Sequence, residues 1–183
     1  MSHVIPREPD TLYIKIDHLW NGNPCGDESM HAEAWVMEKQ NGLEVRVHAP
    51  LRDDRHVPDA PRDTRVDGSW EFDAIELFFV GEDGTYTEVE LGPGGHYLVL
   101  SFDGVRHRSN DWLGREFVHR NASATPGTWQ SVIQLPWDVL PKKIVRANAF
   151  VLVGGQHLAW SAVPGAEPDF HQPDVFSSVT FSR

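Results

Sequence analysis

Apolar residues recur along this chain in short alternating runs, not at helical spacing. Leu43, Val45, Val47 and Ala49 point one way and Glu44, Arg46 and His48 the other, which is the pattern of a half-buried strand. Tyr13–Ile16 and Ala32–Met37, with Ala32, Ala34 and Val36 on one face, follow the same pattern. The strongest segment is a meander. It comprises Asp73–Val80, a turn at Gly81–Gly84, Thr85–Leu91, a turn at Gly92–Gly95, and His96–Phe102. Further strands are predicted at Glu116–Asn121, Trp129–Leu135, Arg146–Val153 and Val175–Phe181, and Pro136–Leu140 (PWDVL) predicts one helical turn. Thirteen prolines and fifteen glycines are spread over the whole length. About ten short strands divided by turn clusters predict an all-β fold, an antiparallel β-sandwich of jelly-roll type or a barrel, with at most one or two short helical turns. Pro50–Ser69, rich in Asp, Arg and Pro, is expected as a long exposed loop. No linker divides the chain, so residues 1–183 are expected as a single domain, with 1–11 as a flexible N-terminal segment.

Charge narrows the function classes. Lys and Arg total 16 and Asp and Glu 27, a net charge of −11. That balance argues against nucleic acid, whose binders displace counterions with lysine and arginine, and against anionic membrane surfaces. No stretch approaches the roughly 20 apolar residues of a membrane span, and Met1–Asp10 carries no apolar run. A soluble, cytoplasmic protein is expected. Cys25 is the single cysteine, which excludes an internal disulfide and multi-cysteine metal sites. The ten histidines show no H-E-x-x-H or H-x-H spacing. Asn121–Ser123 matches the glycosylation triplet.

The meander carries the candidate chemistry. Matching core faces across the first hairpin sets Ile75 opposite Val89 and Leu77 opposite Thr87, with a three-residue loop. That register puts Glu76 opposite Glu88, Ala74 opposite Glu90, and Phe78 opposite Tyr86. Like charges facing each other destabilise a sheet, so the cluster calls for a cationic side chain, a bound cation, a shared proton, or a ligand whose hydroxyls donate to the carboxylates. Carboxylates alone would suit a hard cation such as Ca2+. Trp70, Phe78 and Tyr86 beside the cluster favour a ligand, because flat aromatic surface next to hydrogen-bonding carboxylates suits a sugar ring. Two other classes of reading stand beside this one. One is a sugar-acting hydrolase with Glu76 and Glu88 as its carboxylate pair. The other is a protein-interaction domain whose aromatic face meets a partner. Asp169 and His171 either orient each other for acid–base work or flank a loop anchored by Phe170.

Trp70–Phe79 (WEFDAIELFF) and Tyr86–Leu91 (YTEVEL) resemble family 9 carbohydrate-binding modules. The chain resembles uncharacterised protein family 0462 more strongly. The shared features are that first strand, the EVEL-x-P-x-G turn at Glu88–Gly94, LPW at Leu135–Trp137 and PDFH at Pro168–His171. The resemblance runs from about Ile14 to Phe181. It implies a β-sandwich that binds a small saccharide, or a similar polyhydroxylated ligand, without catalysis. In the modules a sugar ring lies between two tryptophans and is held by a glutamate six residues after the first. Trp70 and Glu76 carry that spacing, Trp160 stands for the second tryptophan, and His157 occupies the place of an asparagine. The expected ligand-binding set is therefore Trp70, Glu76, Tyr86, Glu88, Glu90, His157 and Trp160. Relatives with this sandwich also bind haem through Met and His, but Met1, Met30 and Met37 sit in no such context.

Overall fold

The alternating runs pair into two sheets whose apolar faces meet. The structure, a computed structural model, describes residues 2–182 apart from the side chains of 122–125. Met1 and the Ser123 side chain of the glycosylation triplet thus lie outside the described residues. The strands are β1 (His3–Ile5), β2 (Leu12–Ile16), β3 (His18–Leu19), β4 (Ala32–Lys39), β5 (Gly42–Pro50), β6 (Ala74–Gly81) and β7 (Tyr86–Leu91). They continue with β8 (Tyr97–Gly104), β9 (His107–Asn110), β10 (His119–Thr125), β11 (Thr128–Pro136), β12 (Ile144–Val153), β13 (Gln156–Ala159) and β14 (Ser177–Phe181). One sheet has nine strands, running β1-β14-β12-β6-β7-β8-β9, with β13 on β12 and β3 on β13. The other has five, in the order β10-β11-β5-β4-β2. All ladders between the strands are antiparallel except β1–β14, which is parallel.

The inward residues are the ones alternation selects. Ile14, Ile16, Ala34, Val36, Val45, Val47, Ile133 and Leu135 of the smaller sheet pack on Ile75, Leu77, Phe79, Val89, Leu91, Val99, Ala149 and Val151 of the larger. This is the all-β sandwich that the sequence predicts. The smaller sheet turns its outer face to water. The larger does not. Its outer face carries a second apolar cluster of Phe78, Val80, Tyr86, Leu98, Leu100, Phe102 and Phe150, covered by Val163, Phe170 and Phe176 from the segment that follows β13. Asn148 fixes the start of that strap. Its Nδ2 donates to the Ser161 carbonyl at 2.9 Å, and its Oδ1 accepts from the Ser161 amide at 3.0 Å.

Three expectations need correction. The N-terminal stretch expected to be flexible contains β1, whose ladder with β14 pairs Ile5 with Phe181, and the Ile5 side chain is fully buried. Four 3₁₀ turns are present among the described residues in place of one or two: Glu28–Met30, Ser69–Glu71, Trp137–Val139 and Pro173–Val175. The first hairpin keeps its three-residue loop but slides by two residues. Ile75 faces Leu91, Glu76 faces Glu90, Leu77 faces Val89, Phe78 faces Glu88 and Val80 faces Tyr86. The reason is Gly84, at φ 81°. A three-residue hairpin loop ends on a left-handed residue, and glycine reaches that region without steric penalty. The loop is therefore Glu82–Gly84, closed by the Gly81 amide donating to the Thr85 carbonyl at 2.8 Å.

Because β1 is part of the core, Ile5→Ala is expected to cost about 2–4 kcal/mol of stability, read from urea denaturation midpoints. A loss near zero would return the segment to a flexible tail.

Candidate functional site

Side chains on the outer face of the large sheet fall into rows set by register. One row runs Phe150, Glu76, Glu90, Leu98, and the next Asn148, Phe78, Glu88, Leu100. Three carboxyls thus sit mid-sheet among apolar neighbours. Glu76 and Glu88 are 3% exposed and Glu90 is 0% exposed. Both carboxyl oxygens of Glu90 lack a hydrogen-bond partner among the described residues. Glu88 Oε2 lies 4.0 Å from His171 Nε2.

A cleft of about 480 Å³ opens above Glu76 and Glu88. Trp70, presented by the 3₁₀ turn before β6, forms one side, and Pro168–His171 of the strap forms another. That turn ends the extended run at Phe72, so Trp70 reaches the cleft from the loop and not by alternation along β6. Arg106 and Arg108, at the β8–β9 corner, stand at the cleft. Arg106 Nη2 donates to Asp169 Oδ1 at 2.7 Å, and Arg108 Nη1 to Asp67 Oδ1 at 3.0 Å. The Arg108 guanidinium carbon lies 5.6 Å from the centre of the Trp70 ring. His157 lines the cleft and meets Phe170 edge-on, with ring centres 5.7 Å apart.

The strap is fastened at its tip. Phe170 stacks on Phe150 at 3.9 Å and 8°. The Arg106 amide donates to the Tyr86 hydroxyl at 2.9 Å, and the Tyr86 hydroxyl shares a 2.8 Å hydrogen bond with His171 Nδ1. Burial first, and Arg106 second, push His171 down to about 4, so its ring is neutral near pH 7. With the Tyr86 hydroxyl donating to Nδ1, the ring proton rests on Nε2, on the side of Glu88.

Burial sets the charge of the carboxyls. Desolvation, with Glu88 second, raises Glu76 well above the usual carboxyl range. Desolvation likewise raises Glu90, aided by Glu76 and Glu88. Glu88 is pushed up to about 8 by burial, against the opposing pull of Arg108 and Arg106. At neutral pH the floor therefore holds its protons, and a protonated carboxyl both donates and accepts hydrogen bonds.

Of the seven residues expected at a ligand, Trp70, Glu76, Glu88 and His157 line one cleft. Tyr86 and Glu90 are buried beneath it. Trp160 lies elsewhere. It follows β13 on the same face as Leu158, packs against the core between the sheets, and meets His3 edge-on at 4.7 Å. Residues three apart on a strand point to opposite faces, so His157 in the cleft excludes Trp160 from it. The sequence reading missed Arg106 and Arg108. They belong to a corner and a short, exposed, all-polar strand, which leaves no periodic signal. Among the described residues no group of three or more His, Cys, Asp or Glu side chains could hold a metal ion. The carboxyls are spaced along rows of phenylalanine and leucine, without the six to eight oxygens that calcium takes, and the residues present do not fit it. No helix among the described residues is long and apolar enough to cross a membrane.

The two-sheet β-sandwich is shared with proteins of known structure. A protein of Bacteroides uniformis, named for a presumed carbohydrate-binding role, superposes with a TM-score of 0.70 at 16% identity, covering 94% of this chain and 87% of that one. A family 9 carbohydrate-binding module from Caldicellulosiruptor kristjanssonii, solved in complex with cellotriose, superposes with a TM-score of 0.60 at 9% identity, over 99% and 93%. In sequence the chain resembles the UPF0462 proteins over most of its length. It is 29% identical to the C4orf33 homolog of Rattus norvegicus and 28% to human C4orf33, in each case over 92% of this chain and 88% of the relative. No protein-family model matches the chain.

Two consequences for stability follow. Glu90→Met, which replaces an unpartnered buried acid with an apolar side chain, is expected to raise stability at pH 7.5 by about 1–3 kcal/mol, and destabilisation in a urea titration would contradict it. The folded chain holds the Glu88 proton up to about pH 8, whereas the unfolded chain releases it near 4.5. The folded state therefore binds more protons, and stability falls as pH rises through that window. His171 acts oppositely, with stability lost as pH falls from 6.5 towards about 4, so the carboxyls are isolated above pH 6.5. Melting temperature is expected to decline from pH 6.5 to 8, with a shallower slope in Glu88→Gln. Parallel slopes in the two proteins would show that Glu88 titrates normally.

Proposed function

We propose that this protein binds a small saccharide, or a similar polyhydroxylated ligand, without catalysis, in the cleft between Trp70 and the strap. The observation that carries this reading is the convergence of Trp70, 41% exposed, with the buried carboxyls of Glu76 and Glu88 on one cleft. An indole face packs against the C–H face of a sugar ring. The carboxyls below accept from or donate to ring hydroxyls, and Arg106 and Arg108 offer charged donors at the sides. His157 stands at the wall, and Glu90 and Tyr86 act from beneath by holding the floor and the strap tip. The likeness in fold to carbohydrate-binding proteins supports the same class. One tryptophan, in place of two, leaves one face of the ring to the strap, where Pro168 and Phe170 supply apolar surface.

Titration of tryptophan fluorescence with a panel of mono- and disaccharides tests the reading. A saturable change is expected in the wild type. Trp70→Ala should weaken binding by about tenfold or more, and Trp160→Ala should leave it unchanged. Equal loss in both variants would place the ligand elsewhere. Turnover of a glycoside that disappears in Glu76→Gln would replace binding with hydrolysis.

A further inference from the structure

The floor of the cleft has acids but no base. Glu76 makes no hydrogen bond or ion pair among the described residues, although it is only 3% exposed and lines the cleft. Glu90 behind it has both oxygens unpartnered. The cations at the sides are already committed, Arg106 to Asp169 and Arg108 to Asp67. His171, nearest to Glu88, is neutral. Arg108 and Arg106 pull on Glu88 from the sides, yet among the described residues no hydrogen bond or ion pair from a protein cation reaches Glu76 or Glu90.

Hydroxyls alone do not account for this arrangement. An amide side chain accepts from and donates to a neutral hydroxyl as well as a protonated carboxyl does, and it avoids the desolvation of a potential charge. A carboxylate surpasses an amide where the donor is itself charged. The walls point the same way. Trp70, Phe102 and Phe170 line the cleft, and aromatic faces attract an ammonium group, most strongly where it is desolvated.

We infer that the ligand carries a protonated amine, seated between the aromatic walls and the Glu76–Glu88 floor, so that the preferred class is an amino-substituted sugar or polyol. The inference rests on the saccharide reading above and specifies the group that the floor recognises.

Glucosamine, glucose, N-acetylglucosamine, glucuronate and the simple diamine putrescine form the probe set, compared by calorimetry at about pH 6.5, where amines are protonated. Glucosamine is expected to bind on the order of tenfold or more tighter than glucose. N-acetylglucosamine, with the same ring but a neutral amide, should lose that advantage. Glu76→Gln should abolish the preference while retaining the wild-type melting temperature or exceeding it, and Glu90→Met serves as a second variant should Glu76→Gln fail to fold. Equal affinity for glucose and glucosamine, or a preference for glucuronate, would overturn the amine and leave the saccharide reading standing. Putrescine binding as tightly as glucosamine while glucose does not bind would keep the amine and overturn the saccharide. No binding by any probe would overturn both.

Discussion

Burying the nine-stranded sheet on both faces forces its central strands to hide every residue they contain, and β6 and β7 do so along their full lengths. An antiparallel sheet in a sandwich ordinarily leaves one face to water. Here the strap after β13 covers that face, so each outward side chain of β6, β7 and β8 must be apolar or justify its polarity. Phe78, Val80, Tyr86, Leu98, Leu100 and Phe102 meet the first condition. Glu76, Glu88 and Glu90 meet the second only if something else enters the space above them. The cleft lies where the strap stops short of Glu76 and Glu88.

The same constraint explains why the strap tip is fastened by polar contacts as well as packing. Phe170 on Phe150 supplies contact area but no registration along the sheet. The hydrogen bond from the Arg106 amide to the Tyr86 hydroxyl, and that from Tyr86 to His171, fix both the β8–β9 corner and the strap to one buried phenol. The Arg106–Asp169 pair then joins the corner and the strap directly. This pair is exposed and contributes little stability by itself. Its effect is geometric, because it holds the Arg106 guanidinium beside the cleft. Tyr86 thus shapes the site from beneath without lining it.

Alternation made the smaller sheet legible, since β4, β5 and β11 have one wet and one dry face and the dry residues follow directly from the sequence. The same logic located β6 and β7 but could not set their register. With both faces buried, a slide of two residues preserves the match of core faces, and only the left-handed requirement at Gly84 distinguishes the alternatives. Strands β1, β3, β9 and β13 escaped because two to four residues cannot display a period. At the cleft, Trp70, Glu76 and Glu88, with Glu90 beneath them, were legible from residue type and spacing. Arg106 and Arg108 were not, because proximity across a hairpin corner leaves no trace in a polar segment. Trp160 was misplaced although parity was available: it shares the face of Leu158, and His157 does not.

The carboxyls set a conflict between stability and recognition. In an empty cleft a leucine or methionine at Glu90 would remove two unpartnered buried oxygens and fill the same space between Glu76 and Leu98. The acid gains over the apolar side chain in the proposed complex, where a donor reaches Glu76 and Glu88 and the proton held behind them can shift within the cluster. A group that destabilises the free fold while strengthening the complex makes affinity and stability trade against each other. Trp70 escapes that trade, because it stands on a turn outside the sheet and packs into neither core cluster. Substitutions at the aromatic wall and at the acidic floor should therefore separate the two quantities. Trp70 affects affinity alone, whereas the floor moves affinity and stability in opposite directions, a signature that a purely structural acidic cluster would not produce.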